Sequence, residues 1–135
     1  MRDPETIVRE FLDAWDEPDL ERLVEGLSAF ISPDAVLRQM PFAEVRGREG
    51  LRRICQESLE SLSDFEIDLV DISSVGRRVF TERVDRFVLQ GRPVSVPVLG
   101  VFELDENDRI TAWRDYFDSR ALFATPEPIF GRSEP

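Results

Sequence analysis

The chain lacks two of the side chains that enzymes use most often for proton and group transfer. Histidine is absent, and all 17 basic residues are arginine, so lysine is absent as well. These absences exclude histidine general bases, lysine Schiff bases and nucleophilic Ser–His or Cys–His pairs. Any catalysis must therefore use carboxylates, arginine, side-chain amides, hydroxyls and water.

Cysteine is scarce too, since Cys55 is the only one in the sequence. A single cysteine cannot form an internal disulfide, which favours a reducing compartment, and we expect a cytoplasmic protein. Its place in the helical segment Leu51-Arg-Arg-Ile-Cys-Gln predicts a small buried thiol rather than a reactive one. The sequence has no metal-ligand set of ordinary spacing, no GxGxxG motif and no phosphate-binding loop, so we expect no cofactor and no metal.

Long apolar runs are also missing. The longest nearly apolar segment, Val96 to Phe102, is far too short to span a bilayer, and the segment after Met1 is amphipathic rather than signal-like. The formal net charge of −11 argues against nucleic acid and anionic membrane surfaces. We therefore expect neither nucleic acid nor membrane among the partners.

The length of 135 residues suits one domain that can bury a substantial core. We expect this domain over residues 1–124, without an internal repeat or a linker. Pro126, Pro128 and Gly131 indicate an irregular C-terminal tail over residues 125–135.

The N-terminal half carries the signals of three helices. Asp3 is a candidate N-cap and is followed by Pro4, which suits the first helical position. Asp19 is a second candidate N-cap after the break at Pro18, and a third helix follows Gly47. Apolar residues recur at helical spacing in all three segments: Ile7, Phe11 and Trp15; Leu20, Leu23, Val24 and Leu27; Leu51, Ile54, Cys55, Leu59 and Leu62.

Strand signals dominate the rest of the chain. A short strand is predicted over residues 35–40, and apolar residues alternate over 65–71. Longer strands are predicted over 78–90, 94–104 and 109–117, with turns between them. The pattern predicts an α+β fold, in which a curved antiparallel sheet of about five to six strands is covered on its concave face by the three helices.

Two strand-like apolar segments contain carboxylates. An unpaired buried charge is costly, so each carboxylate needs a partner. Arg83 and Asp85 project from the same side of a strand, because side chains alternate between its faces. If the strand of Asp115 lies alongside, one guanidinium bridges two carboxylates. Such a coupled acid/base pair can hold two different protonation states at neutral pH.

The segments around these carboxylates carry a family resemblance. Phe80-Thr-Glu-Arg-Val-Asp85, Leu99-Gly-Val-Phe102 and Ile110-Thr-Ala-Trp-Arg-Asp-Tyr-Phe-Asp118 resemble the limonene-1,2-epoxide hydrolases. That family belongs to a cone-shaped α+β superfamily with ketosteroid isomerase, polyketide cyclases and nuclear transport factor. The resemblance covers residues 7–122 and implies a cone-shaped barrel with an internal pocket.

The resemblance also implies a reaction and a role for each charged residue. It implies one-step hydrolysis of a small apolar epoxide to a vicinal diol, without a cofactor or a covalent intermediate. Asp115 takes a proton from the attacking water, Asp85 gives a proton to the epoxide oxygen, and Arg83 holds both carboxylates. The residue types agree with this reading, because ring opening needs a base and an acid together.

Two positions depart from the family pattern. The family holds the attacking water with a Tyr and an Asn on the first strand, and Leu37 and Gln39 occupy those positions here. Gln39 keeps an amide that is one methylene longer, whereas Leu37 offers no hydrogen bond. By the same alignment the substrate pocket is lined by Leu12, Trp15, Phe87, Val96, Val98 and Leu122.

Three functions stay open at this point. They are epoxide hydrolysis, an isomerisation or cyclisation with Asp85 or Asp115 as the base, and non-catalytic binding of a small molecule with a purely structural ion pair. The only tyrosine, Tyr116, points away from Asp115 by strand parity, which argues against an isomerase that needs a tyrosine donor. Trp113 and Phe117 share the face of Asp115 and are expected in the core or at an interface.

The outer face of the sheet predicts a homodimer. An antiparallel sheet that is covered by helices on one side leaves its other face to solvent or to a partner. Phe80, Val84 and Val88 lie on that face, alternating with Glu82 and Arg86. The family resemblance points to the same assembly.

Overall fold

A computed structural model describes residues 1–122 of the chain, and the expected tail over residues 125–135 lies outside them. The described range contains three helices, six strands and one final 3-10 turn. Their bounds are α1 Pro4–Asp13, α2 Leu20–Ser28, β1 Ile31–Gln39, β2 Val45–Arg46, α3 Gly47–Ser61, β3 Leu62–Val75, β4 Arg78–Leu89, β5 Arg92–Leu104, β6 Ile110–Phe117 and the turn Ser119–Leu122.

The helices begin where the sequence predicts. The Asp3 side chain accepts a hydrogen bond from the backbone N–H of Glu5, and Asp19 accepts one from that of Arg22. Each bond satisfies an N–H that the first turn of a helix leaves without a partner. The apolar faces of α1 and α2 are buried against the sheet. The two predicted caps are therefore confirmed.

The predicted helix ends differ from the observed ones. Trp15 was expected on α1, but α1 ends at Asp13 because the chain must turn before Pro18, which cannot continue a helix. Leu62 was expected on α3, but it has extended backbone angles and begins β3. An apolar residue at a helix–strand junction fits both periodicities, so its spacing alone cannot assign it.

The six strands of the described chain form one mixed sheet in the order β2-β1-β6-β5-β4-β3. The pair β1–β6 is parallel, and the other neighbouring pairs are antiparallel. The expectation of a wholly antiparallel sheet is thus wrong at one pair, because the alternation of side chains carries no information on the direction of a neighbour. The sheet is curved but does not close into a barrel, since β2 and β3 are its two edges. The α+β fold itself is confirmed.

Strand lengths depart from prediction at the sheet edges. β1 begins at Ile31 rather than residue 35, and β3 extends to Val75 rather than residue 71. The two-residue strand β2 was not predicted, because two residues are too few to show alternation. Bulges in β3 interrupt its pairing with β4, which explains why its alternation is visible only over its central part.

Two apolar clusters lie on the concave face. The larger cluster joins all three helices to one end of the sheet and includes Phe11, Leu37 and Phe102. The smaller cluster lies further along β4 and β5 and includes Phe87 and Val96. Along β4 the polar inward-facing residues fall between the two clusters. Within residues 1–122 no helix has both the length and the apolar character that crossing a membrane requires.

Candidate active site

One row of residues across four strands forms the floor of the site. Thr81 on β4 lies opposite Gly100 on β5, Gly100 lies opposite Asp115 on β6, and Asp115 lies beside Gln39 on β1. We call these four residues the central row. Arg83 is the next inward-facing residue after Thr81 on β4, because inward-facing positions recur every second residue.

The Arg83 guanidinium bridges the two carboxylates that the sequence singles out. Its Nε and Nη2 donate to Oδ1 and Oδ2 of Asp85 at 3.2 and 3.0 Å. Its Nη1 and Nη2 donate to Oδ1 and Oδ2 of Asp115 at 3.0 and 2.9 Å. The side chain of Arg83 is only 2% exposed. The bridge between the two carboxylates is confirmed, although β5 lies between β4 and β6, so the strand of Asp115 is not next to that of Arg83 as expected. We call these three residues the Asp–Arg–Asp array.

Asp115 receives one further hydrogen bond that the sequence did not reveal. The indole Nε1 of Trp113 donates to Asp115 Oδ1 at 2.8 Å. Oδ1 thus accepts two hydrogen bonds, whereas Oδ2 accepts one, from Arg83. A carboxylate oxygen has about two acceptor positions. The open acceptor position of Asp115, counting partners among residues 1–122, is therefore on Oδ2.

Trp113 is fixed by the core, as expected. Its ring stacks on Phe102 with centroids 6.1 Å apart, and it meets Phe11 edge to face at 5.3 Å. A buried indole needs an acceptor for its N–H, and Asp115 is two residues along on the same face. That shared face was the signal in the sequence from which the hydrogen bond to Asp115 could have been predicted.

Burial and charge act in opposite directions on the Asp–Arg–Asp array. Burial raises the pKa of Asp85, and the negative charge of Asp115 adds to this, although the hydrogen bonds and charge of Arg83 act against it. Burial alone would lower the pKa of Arg83, but the charges and hydrogen bonds of Asp115 and Asp85 hold it above its ordinary value. The array thus favours a charged guanidinium, and burial makes Asp85 easier to protonate than an exposed carboxyl group.

A cavity of about 620 Å³ opens beside the array. All eleven residues singled out from the sequence line it: Leu12, Trp15, Leu37, Gln39, Arg83, Asp85, Phe87, Val96, Val98, Asp115 and Leu122. Its walls are mostly apolar, and the buried charged groups that line it are the three side chains of the array. Such a mostly apolar cavity with few convergent polar groups is typical of a small-molecule site.

Sequence reasoning missed the part of the cavity wall that comes from α3 and β3. The missed residues include Ile54 and Glu57 on α3, Phe65 and Ile67 on β3, and Phe42 in the loop after β1. Phe65 stacks on Phe87 with centroids 6.0 Å apart. The α3 residues read as the flank of an amphipathic helix, so nothing in their spacing distinguishes a cavity wall from core.

Leu37 and Gln39, the two β1 residues that the sequence singles out, lie beside Trp113 and Asp115 on β6. Leu37 is fully buried and pairs in register with Trp113. Gln39 pairs with Asp115, and its Nε2 is buried without a hydrogen-bond partner among residues 1–122. A buried N–H donor without an acceptor is costly. Gln39 therefore has a donor available for a group inside the cavity.

Within residues 1–122, no group of three or more Asp, Glu or Cys side chains is arranged to hold a metal ion. The guanidinium also occupies the space between the two carboxylates of the array, which is where a shared cation would otherwise lie. The buried charged groups of the site are thus one arginine and the two carboxylates that it bridges.

Comparisons with known proteins give the same family as the sequence motifs. A family model described as the limonene-1,2-epoxide hydrolase catalytic domain matches residues 2–126. The epoxide hydrolase EphG of Mycobacterium tuberculosis is 32% identical over 116 residues, which are 86% of this chain and 74% of that protein. The solved structure of an M. tuberculosis LEH-like epoxide hydrolase has a TM-score of 0.71 and 29% identity, covering 88% of this chain and 85% of its own.

More distant structures share the fold. A protein with a ketosteroid isomerase-like fold from Catenulispora acidiphila, solved in complex with trimethylamine, has a TM-score of 0.77 at 19% identity, with 87% of this chain and 89% of its own covered. At that identity the similarity concerns the fold alone. The family model, however, spans nearly the whole chain, and EphG agrees with it. The chain therefore belongs to the limonene-1,2-epoxide hydrolase family.

Proposed function

We propose that this protein hydrolyses an apolar epoxide to a vicinal diol by general acid/base attack of water. Asp115 is the base, Asp85 is the acid, and Arg83 holds both. The observation that carries the proposal is a buried guanidinium with two hydrogen bonds to each of two carboxylates, beside an apolar cavity. Family membership and the identity to EphG support the same activity.

The proposed step couples one bond formed to one bond broken. Asp115 Oδ2, which has the open acceptor position, takes a proton from water as the water oxygen attacks an epoxide carbon. The C–O bond of the ring breaks, and the protonated Asp85 gives its proton to the leaving oxygen. A proton then passes from Asp115 to Asp85, directly or through solvent, which restores the starting state.

The charge of the array supports this division of roles. With Asp85 protonated, one positive guanidinium faces one negative carboxylate, so the array is neutral before the step. It is neutral again afterwards, when Asp115 holds the proton and Asp85 is ionised. A buried site avoids the cost of an uncompensated charge in this way. The raised pKa of Asp85 supports its role as the proton donor.

The attacking water is proposed to lie between Asp115 and Gln39. These residues are neighbours across β1 and β6, and the buried Nε2 of Gln39 needs an acceptor. Leu37 adds no polar contact, so the water has fewer protein partners than the family pattern provides. We expect slower hydrolysis than a site with three polar partners would give, because orientation of the nucleophile limits the rate.

Diol formation on an epoxide panel tests the proposal. Limonene oxide, cyclohexene oxide and styrene oxide are incubated with the protein, and diols are measured by gas chromatography. A single turnover in ¹⁸O-water with enzyme in excess should label one diol oxygen, because water attacks the carbon directly. An unlabelled first-turnover diol would indicate an enzyme carboxylate as the nucleophile. Absence of diol from the whole panel would remove the support for hydrolysis.

A second candidate is another proton transfer by the same array, such as an isomerisation or a cyclisation. The observation in its favour is Leu37, a fully buried apolar residue where a water-holding side chain is expected. This candidate predicts no diol, but it predicts exchange of an acidic C–H proton of a cyclic ketone with deuterated water. Non-catalytic binding predicts neither diol nor exchange.

We also propose that two copies pair through the outer face of the sheet. Leu99 and Tyr116 lie opposite each other on β5 and β6, and their exposed fractions are 48% and 41%. Val84 and Pro97 form the neighbouring pair on β4 and β5. Exposed apolar residues that adjoin in this way are typical of an interaction surface.

The proposed location is the cytoplasm. Cys55 is a buried free thiol, as a reducing compartment allows, and burial raises its pKa to about 12, which disfavours the thiolate. Microscopy of the chain fused to a fluorescent protein checks this location.

A further inference from the structure

The five N–H donors of Arg83 are all accounted for, but only four of them go to carboxylates. Nε donates to Asp85, Nη2 donates to both Asp85 and Asp115, and one N–H of Nη1 donates to Asp115. The remaining N–H of Nη1 points to Thr81 Oγ1 at 3.4 Å. Thr81 is fully buried, so it supplies a fifth acceptor in a place that water does not reach.

Gly100 lies directly beneath this guanidinium. A Cβ atom built at Gly100 would lie 2.5 Å from Thr81 Oγ1, 2.6 Å from Arg83 Nη1 and 3.0 Å from Asp115 Oδ1. The first two distances are shorter than real Cβ atoms show, and the third is tighter than nearly all real Cβ contacts. The backbone of Gly100 is not among the left-handed glycines, so glycine is needed here for space and not for its conformational freedom.

We propose that Gly100 and Thr81 are positioning residues that set where the Arg83 guanidinium lies. Because Gly100 has no side chain, a slot remains between Thr81 and Asp115. The Arg83 guanidinium extends across this slot to reach Asp115. Thr81 closes the far end of the slot and fixes the plane of the guanidinium. Any atom in the slot separates Nη1 from Asp115. The kinetic part of this inference rests on the proposed hydrolysis.

Gly100→Ala is the direct test. We expect kcat for diol formation to fall on the order of a hundredfold, because a shift near 1 Å misaligns the base, with little change in KM. The carboxylate that loses a guanidinium bond becomes easier to protonate. The acidic limb of the kcat profile should therefore move to higher pH, which a general loss of stability would not cause.

Gly26→Ala is the matched control. Gly26 lies in α2, and a Cβ built there meets no atom within 4 Å. The same substitution should leave kcat, KM and the pH profile unchanged. Equal activity in the two alanine variants, with the same pH profile, would overturn the role of Gly100.

Thr81 variants test the positioning of the Arg83 guanidinium without adding an atom to the slot. They decide whether the inference holds if Gly100→Ala does not fold. Thr81→Ser keeps the acceptor and should stay near the wild-type kcat. Thr81→Val keeps the shape but removes the acceptor, and we expect about a tenfold loss of kcat because a hydrogen bond to a charged group is lost. Adding Thr81→Ala to Gly100→Ala should recover part of the lost kcat, since it removes the 2.5 Å contact. Equal kcat for the Ser and Val variants would contradict the role of Thr81.

A measurement without substrate separates this inference from the proposed function. The ¹³C carboxyl signals of Asp85 and Asp115 are followed by NMR over a pH series in the wild type, Gly100→Ala and Gly26→Ala. Gly100→Ala alone should shift their titration. If the wild type makes no diol but this shift occurs, hydrolysis is wrong and the positioning role stands. If the carboxyl signals titrate alike in all three proteins, the positioning role is wrong whatever the activity.

Discussion

Gln39 and Asp115 are neighbours across β1 and β6, the one parallel strand pair among the described residues, and the backbone N–H of Met40 donates to the carbonyl oxygen of Asp115 at 2.9 Å. This pairing holds a side-chain amide beside the proposed base by backbone hydrogen bonds alone. The same register places Leu37 beside Trp113. The same strand pairing therefore fixes the positions of Leu37 and Gln39.

The carboxylates of the array are expected to be essential for hydrolysis. Asp85→Asn and Asp115→Asn should each lower diol formation at least about a hundredfold, because each removes one partner of the coupled proton transfers. Circular dichroism should show that both variants stay folded. Near-wild-type turnover in either variant on a confirmed substrate would mean that the acid and base are assigned wrongly.

Removal of Arg83 should destabilise the fold as well as abolish activity. Arg83→Gln leaves two buried carboxylates without their counter-charge, and breaking a buried pair costs roughly 3–5 kcal/mol. Arg86→Gln is the matched control on the same strand, because Arg86 is exposed and pairs with exposed Asp68. Its free energy of unfolding should change by only a small fraction of that amount. Urea unfolding of the three proteins measures the difference.

The stability of the fold should depend on pH through Asp85 in a particular direction. Burial raises its pKa in the folded chain, so the folded state binds this proton more tightly than the unfolded chain does. The contribution to stability is then complete below about pH 4, near the unfolded pKa, and is lost as the pH rises through the folded pKa.

Asp85→Asn should abolish this decline. Partly buried surface carboxylates such as Glu103, whose pKa is lowered chiefly by its hydrogen bond to Arg114, contribute the opposite trend. The informative quantity is thus the difference in unfolding free energy between wild type and Asp85→Asn across pH 4 to 8. A difference that does not change with pH would contradict a raised pKa for Asp85.

Restoring polar groups on β1 should raise hydrolysis. Leu37→Tyr with Gln39→Asn gives the attacking water a second polar partner, and we expect a higher kcat on limonene oxide or cyclohexene oxide. Leu37 lines the cavity, so the larger ring has space to enter it. Leu37→Phe with Gln39→Asn is the control, because it adds the ring without the hydroxyl. If neither double variant exceeds the wild type, Leu37 belongs to a pocket shaped for different chemistry.

The proposed dimer has a direct test in solution. Sedimentation at micromolar concentration should give twice the monomer mass for the wild type. Leu99→Glu should shift the protein to monomer, since it places a charge in the apolar patch of each copy. Val75→Glu is the control, because Val75 is the most exposed of the strand valines, at 75%, and lies at the end of edge strand β3. A monomeric wild type would remove the proposal.

Local signals in the sequence predicted much of this fold. The carboxylates of Asp3 and Asp19 mark the helix starts, because their caps depend on residues two or three positions away. Strand alternation placed Arg83 and Asp85 on one face for the same reason. The partner of a strand, in contrast, depends on the whole chain, so the parallel pairing that sets Gln39 beside Asp115 was not predictable from alternation.

The parts of the site that were missed are those that depend on atoms far apart in sequence. Gly100 contributes by having no side chain, and its importance appears only when Thr81 and Asp115 lie on either side of it. The hydrogen bond from Trp113 is the exception, because its acceptor Asp115 is only two residues away on the same face of β6. The family motifs marked the segments that contain these residues, but not the contacts that they make.

The fluorescence of the two tryptophans reports on the cavity of this protein. Trp15 and Trp113 are the only two in the sequence, both line the cavity, and their rings lie 5.7 Å apart. The indole N–H of Trp113 is also bonded to Asp115. Tryptophan fluorescence therefore arises entirely from the cavity wall and should respond to a ligand that enters the cavity. A library of unmodified compounds can thus be screened for ligands by quenching or spectral shift, before the reaction is known.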